Sequence, residues 1–425
     1  MVKNISSILK EVLVKVKPEE NEIKEIGDKL RKFLVELEKN RKKEKLNAEI
    51  FVGGSFAKGT IIKKGHYDID IFVRFDKKYS KQSLSELMEK IIGKTKKERI
   101  HGSRDYFRVK AEENLFFEVV PVVKIKNPKE AENVTDLSYF HVNYVKRKVK
   151  AKELDEIRIA KAFCHANGFY GAESYIKGFS GYGLELLIRH YGSFLNLVKD
   201  SVKIKDKKVI DTEKLYKSKS QILMDVNSAK LQSPIVLIDP TFRQRNVLAA
   251  LSEETFRKFQ ETAKKFIKNP STNFFEPKKM NFSKLKDEAK RKGYEFILTE
   301  IETDKQEGDI AGSKLLKFYN HLNGEIKRYF EIKDSGFYYE KKKSAKLFFV
   351  VKKKGDFLVS GPSVNDTENV KKFKAKHRKT FVKNKRIYAK EKVNLSIRDF
   401  IVRWKAENVD RIKEMYIVSF MVLEI

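Results

Sequence analysis

The sequence predicts an α+β chain of several domains: an α/β head, a mostly helical middle and an α+β tail. Three observations predict it. Alternating apolar runs flanked by amphipathic helical patterns fill the first third of the chain. Helical spacing dominates from about 139 to 270, and β-rich runs return after the stretch NPSTNFFEPKK. At roughly 100–200 residues per domain, 425 residues imply two to four domains. The boundaries are drawn at 1–138, 139–275 and 276–425.

In the head, Ile23, Ile26, Leu30, Phe33, Leu34 and Leu37 recur at spacings of three and four, predicting a long amphipathic helix over 18–44. Two β-rich runs follow, AEIFVGG at 48–54 and YDIDIFVRF at 67–75. The second alternates, with Ile69, Ile71 and Val73 on one side and Asp68, Asp70 and Phe72 on the other. A helix near 80–94 and β-rich runs at 105–111 and 115–123 complete the unit. In the middle, 155–168 and 181–194 read as helices, the first stopped by Gly168. The tail opens with a helix, then a strand at 294–301, a helix at 311–332, and a hairpin pair at 336–341 and 345–353. That strand, helix, hairpin order suggests a small ferredoxin-like unit.

Composition bounds the function. A hydrophobic fraction of 41% and an aromatic fraction of 12% exclude wholesale disorder. Lys and Arg exceed Asp and Glu by 92 to 59, a net charge of +33 that predicts a polyanionic partner, most simply nucleic acid. Cys164 is the single cysteine, so neither an intrachain disulfide nor a cysteine zinc site is available, and a reducing cytoplasm fits. The 7 histidines are scattered without zinc spacing. The N-terminal stretch lacks a long apolar core and a small-residue cleavage site, so no signal peptide is expected. No run of about 18 uncharged apolar residues occurs, so no membrane span is expected either.

The chemistry is expected at Gly53-Gly54-Ser55-Phe56-Ala57-Lys58-Gly59-Thr60 followed by Asp68-Ile69-Asp70. Glycines allow close backbone approach to phosphates, and Ser55 offers a hydroxyl and an amide. Asp68 and Asp70, two apart on a strand, leave the same face and repel unless a cation sits between them. Mg²⁺ suits the task because it takes carboxylate and phosphate oxygens together. Glu118, in FFEVVP, joins the pair if its strand lies alongside. Taken singly, a Gly-Gly-Ser turn is more often only a turn, and an Asp-x-Asp pair is commonly a solvated face.

In order and at this spacing, the pieces resemble the DNA-polymerase-beta-like nucleotidyltransferases. KAFCHANGFYGAE (161–173), KGFSGYGLELLIRHYGSF (177–194), IDPTFRQRNVLAALS (238–252) and GPSVNDTENVKKF (361–373) extend the likeness over nearly the whole chain to the archaeal, class I CCA-adding enzymes, which are tRNA nucleotidyltransferases. The resemblance implies a polymerase-beta-like head, Mg²⁺ held by Asp68, Asp70 and Glu118, and transfer of CMP and AMP from CTP and ATP to the 3′ end of tRNA. It implies that Gly54, Ser55 and Lys58 form a triphosphate loop. Ser138 and His141 would lie near the triphosphate, Lys161 and Tyr170 would hold phosphates, and Asp239 and Arg245 would contact the incoming base. It also implies a homodimer. Glu118 departs from the family's usual Asp, and Asp68 stands where some relatives carry Glu. Read without the family, His141 is as plausibly a structural histidine, Tyr170 a packing aromatic and Lys161 one more solvated lysine. The poly(A) polymerases share the head and part of the middle. A poly(A) or other terminal nucleotidyltransferase, or an inactive RNA-binding relative, therefore remains an alternative reading.

The tail carries a separate signal. Between Lys371 and Lys392 lie eleven basic residues and one acid, Glu391, with Phe373, Phe381 and Tyr388 interleaved. Either this is a solvated basic loop, or Lys371, Lys372, Lys374, Lys376, Arg378 and Lys379 track tRNA phosphates. RNA would then be read by shape and backbone.

Overall fold

The computed structural model describes residues 4–79, 84–102, 104–277, 280–377, 379–392 and 394–424. The chain divides into two compact units, Met1–Lys278 and Lys279–Ile425. The head and the middle, drawn as separate domains from the sequence, thus form one unit.

The first unit opens with α1 (Ile5–Val16), which the sequence pattern did not reveal, and α2 (Glu20–Lys43). Although α1 lies at the start of the chain, its Ile8 and Val12 pack into the core of the middle. The head sheet has the order β1-β2-β5-β4-β3, built from β1 (Ala48–Val52), β2 (Tyr67–Phe75), β3 (Lys97–Ile100), β4 (Tyr106–Glu112) and β5 (Leu115–Val123). Only β2 and β5 run parallel; the other neighbours are antiparallel. The one-turn helix α3 (Gly54–Ala57) links β1 to β2, and α4 (Leu84–Ile92) lies between β2 and β3. The short edge strand β3, Lys-Glu-Arg-Ile, went unpredicted because its polar residues leave no apolar alternation to read.

Alternation along β2 decides which face does what. Ile69, Ile71 and Val73 are fully buried against Ile26, Leu30, Phe33 and Leu37 of α2 and Met88 and Ile91 of α4. The opposite face carries Asp68 and Asp70, and below them Phe72 with Val120 and Val122. One side of the sheet is therefore core, and the other holds carboxylates over a small apolar floor.

The middle contains α5 (Ser138–Lys148), α6 (Ala151–Ala166), α7 (Gly181–Tyr191), α8 (Phe194–Ser201), α9 (Lys219–Asp225) and α10 (Glu253–Lys268). It also contains a sheet that the helical reading of this region missed, β6 (Lys208–Ile210), β7 (Ile235–Asp239) and β8 (Phe242–Asn246). Ile235, Val236, Leu237 and Ile238 are all buried, so β7 reads as a short continuous apolar run, which periodicity does not separate from helix. Phe163 on α6 and Phe256 and Phe259 on α10 lie in the same core.

The second unit runs α11 (Phe282–Arg291), β9 (Glu295–Glu302), α12 (Asp309–Tyr329), β10 (Phe330–Tyr339) and β11 (Ser344–Lys353). An inserted module follows: β12 (Asp356–Ser363), α13 (Thr367–Lys376), β13 (Thr380–Lys383) and β14 (Arg386–Lys392). The unit closes with α14 (Ile397–Glu407), α15 (Val409–Glu414) and β15 (Ser419–Leu423). Its main sheet is antiparallel in the order β10-β11-β9-β15, and the insert forms a sheet β12-β14-β13. Among the described residues no helix is long and apolar enough to cross a membrane.

Candidate active site

The three carboxylates share the face of the head sheet opposite the α2 and α4 core. Asp70 on β2 and Glu118 on β5 are direct partners across the parallel pair, and Asp68 sits two residues earlier on the same face. Burial pushes Asp70 up to about 6, with the Asp68 charge adding to it and Lys58 opposing. Burial likewise pushes Glu118 up to about 7, reinforced by Asp70 and Asp68. At Asp68 burial acts upward too, but Lys64, His66 and Arg108 outweigh it and hold this carboxyl below its ordinary value.

The donor set fits a hard divalent cation, because three oxygen ligands share one face and two of them are destabilised by like charge. Asp68 Oδ1 is buried without a hydrogen-bond partner, with the Arg108 guanidinium near it in an ion pair. As the side chains stand, no three His, Cys, Asp or Glu among the described residues converge closely enough to hold an ion. Arg108, across from Glu118 on β4, occupies the space between them: its guanidinium is 2.9 Å from Glu118 Oε1 and 3.5 Å from Asp68 Oδ1.

Gly54 sets the approach of the loop to the carboxylates. Its φ is +59°, and a Cβ there would stand 1.7 Å from Asp70 Oδ2, so only glycine fits. Its neighbour Gly53 donates its amide to the Asp70 carbonyl at 2.8 Å. Ser55, within α3, lines a small cavity with Thr60, Lys64, Asp68, Lys161 and Tyr170. Tyr170 is stacked on His165 with ring centres 3.9 Å apart. Ser55, Asp68, Lys161 and Tyr170 thus line one cavity, whereas Gly54 and Lys58 are not among its lining residues.

Beneath that cavity lies a residue that the sequence reading passed over. Glu185 on α7 is fully buried and receives Lys58 Nζ at 2.6 Å, Lys161 Nζ at 3.0 Å and the Thr60 hydroxyl at 2.7 Å. Lys161 Nζ also donates to the Thr60 carbonyl at 3.2 Å and to Thr60 Oγ1 at 2.9 Å, so its three hydrogens are all in use. Burial acts to raise the Glu185 carboxyl, but the two lysines outweigh it and bring it down to about 2. The signal was present in the sequence as a lone acid inside the apolar run Gly-Leu-Glu-Leu-Leu-Ile.

A second cluster joins the middle's sheet to α5 and α7. Asp239, at the end of β7 and fully buried, accepts from His141 Nε2 at 3.0 Å, Arg245 Nη1 at 2.7 Å and the Tyr182 hydroxyl at 3.2 Å. Burial opposes its ionisation, but hydrogen bonding and charge from His141, then Arg245, hold Asp239 far below the usual carboxylate range. The His141 and Tyr182 rings stack at 4.1 Å. Burial lowers His141 despite its bond to Asp239. Arg245 remains partly exposed, held at one nitrogen. Ser138 is half-buried as the first residue of α5, one turn before His141.

The basic segment of the tail is not a loop. Lys371, Lys372, Lys374 and Lys376 lie exposed on α13, and Lys379 is exposed just beyond it. Lys372 bonds Glu368 on its own helix at 2.6 Å. Arg378 lies outside the described residues. The aromatics have local packing partners: a Cβ on Gly361 would meet the Phe373 ring at 2.9 Å, and Phe381 stacks on Tyr388 at 5.8 Å.

Comparison with known proteins bears on all of this. Residues 155–276 match the family model described as tRNA nucleotidyltransferase, second domain. Residues 3–139 match the Second Messenger Oligonucleotide or Dinucleotide Synthetase domain. The CCA-adding enzyme of Methanocaldococcus jannaschii is 31% identical over 92% of this chain and 88% of its own length. That of Archaeoglobus fulgidus is 31% identical over 91% and 86% respectively. The CCA-adding enzyme of Nanoarchaeum equitans is 44% identical, across 49% of this chain and 52% of its own. At the level of fold, a solved structure of the Cid1 poly(U) polymerase superposes over 65% of this chain and all of its own, with a TM-score of 0.51 at 13% identity.

Proposed function

The chain belongs to the CCA-adding enzyme family, and from that premise we propose that it completes the 3′ end of tRNA without a template. CMP and AMP are taken from CTP and ATP, and pyrophosphate is released. The terminal ribose hydroxyl passes its proton to water as its oxygen bonds to the α-phosphorus, and the bond from the α-phosphorus to the α,β-bridging oxygen breaks, that oxygen leaving with the pyrophosphate.

The observation that carries this reading is the placement of Asp68, Asp70 and Glu118 on one sheet face, with Gly54 pressed against Asp70. These three would hold a divalent ion, Mg²⁺ in our reading. The ion supplies a Lewis acid for the oxygens that gain charge in the transition state. Lys58 and Ser55 receive the triphosphate, with Lys161 and Tyr170 closing the cavity wall. Arg245 presents a planar fork to the base edge, and its bond to Asp239 fixes the fork's orientation. Asp239, His141 and Tyr182 therefore orient the reading group. In the tail, we read the βαββαβ connection as a ferredoxin-like platform and assign the α13 lysines to tRNA phosphates. A homodimer belongs to the same reading, and sedimentation tests it.

The test is to incubate the protein with tRNA lacking its last three residues, giving each nucleoside triphosphate alone and then CTP with ATP, and to sequence the 3′ ends. The reading predicts termini ending in CCA only when both are present. Long adenylate tails from ATP alone would assign the chain to the poly(A) type instead, and no extension under any condition would mark an inactive relative.

A further inference from the structure

The buried contacts of Glu185 have no part in the chemistry above, yet they tie Lys58, to which a triphosphate role was given, to Lys161. Glu185 on α7 reaches Lys58 at the end of α3, Thr60 in the following loop and Lys161 on α6. A carboxylate so deep in the protein is retained only when its oxygens are matched by cations and donors. Here both oxygens are matched, one by Lys58 and the other by Lys161 and Thr60.

We infer that Glu185 is a positioning residue for nucleotide binding, holding Lys58 and Lys161 as a fixed pair behind the Gly54–Ser55 turn. This inference rests on the triphosphate role given to Lys58 above. Lys161 has every N–H spent on Thr60 and Glu185, so it acts as the brace. Lys58 meets Glu185 through a single bond, and its ammonium stands 5.7 Å over the Tyr182 ring. Lys58 is therefore the ammonium that turns its remaining hydrogens to phosphate oxygens. A long flexible lysine loses side-chain entropy when it is ordered, and an anchor that orders it beforehand removes that cost from nucleotide binding.

The test uses the full chain and two probes, CTP and inorganic tripolyphosphate, with cytidine as the probe that carries no phosphate. In Glu185→Gln, the dissociation constants for CTP and tripolyphosphate are expected to rise about tenfold or more. Cytidine affinity should be unchanged, and KM for CTP should change more than kcat. Wild-type or tighter tripolyphosphate binding by Glu185→Gln overturns the inference, and so does an equal loss of cytidine binding, which marks a merely structural role. If Glu185→Gln does not fold, Glu185→Asp carries the same test, since it keeps the charge and loses one methylene of reach. Lys58→Met separates the two layers of argument. If it weakens tripolyphosphate binding while Glu185→Gln does not, only the positioning inference fails. If it leaves tripolyphosphate binding unchanged, the triphosphate assignment fails with it.

Discussion

Asp70 and Glu118 stand opposite one another on neighbouring parallel strands, each driven upward by burial and by the other carboxylates of the site. Their folded pKa values, about 6 and about 7, lie above those of the unfolded chain, so ionising them in the absence of a cation destabilises the fold. The stability they contribute is present at low pH and is lost as pH rises through 6 and 7. Without divalent ions the protein should therefore have a lower Tm at pH 8 than this pair allows at pH 5, and Mg²⁺ should recover it. The double variant Asp70→Asn with Glu118→Gln should show a weaker fall and little recovery; thermal melts across pH with and without Mg²⁺ decide the matter.

Glu118 offers a sharper test of the third carboxylate. Glu118→Gln should lose incorporation by about a hundredfold or more, because a charged ligand is replaced by a neutral one. Glu118→Asp should keep or improve activity. Full activity in Glu118→Gln would move the role elsewhere. Asp136 is a poor substitute, since Arg104 and three backbone amides already engage it.

Arg245 and Asp239 act as one unit. Arg245→Ala should erode the preference for CTP and ATP over UTP and GTP by about ten- to a hundredfold, the value of one bidentate base pairing. Asp239→Asn should erode the same preference more weakly, because it loosens the fork without removing it. Competition assays with paired triphosphates measure both, and wild-type discrimination in Arg245→Ala would show that another group reads the base.

The tail lysines predict a salt effect. Changing Lys371, Lys372, Lys374 and Lys376 to Ala should raise KM for tRNA and flatten the dependence of tRNA affinity on salt. The slope should fall by about 0.7–0.9 log units per log unit of salt for each phosphate that is no longer neutralised. KM for CTP should hardly move. An unchanged slope would return α13 to the status of a solvated basic helix.

Much of the head was legible because β2 alternates strictly: Asp68 and Asp70 had to share a face once Ile69 and Ile71 were core. The pairing of Asp70 with Glu118 was not legible, since it depends on the register of two strands separated by α4, β3 and β4. The role of Glu185 was hidden for a similar reason. Its partners Lys58 and Thr60 lie more than a hundred residues away, and nothing local announces them. The sheet of the middle escaped because β7 is a short apolar run between helices. The insert holding α13 escaped because its basic residues mask the weak amphipathic pattern around Phe373.

The most direct measurement is single-turnover incorporation of CMP into tRNA lacking its CCA end, at saturating Mg²⁺, by wild-type protein and by Asp70→Asn. Circular dichroism and tRNA binding confirm that the variant is folded. A metal site built on Asp68, Asp70 and Glu118 predicts unaltered tRNA binding and a rate constant lower by at least about a hundredfold, the loss expected when a metal-holding carboxylate is neutralised. Incorporation by Asp70→Asn within a few-fold of the wild-type rate would contradict it.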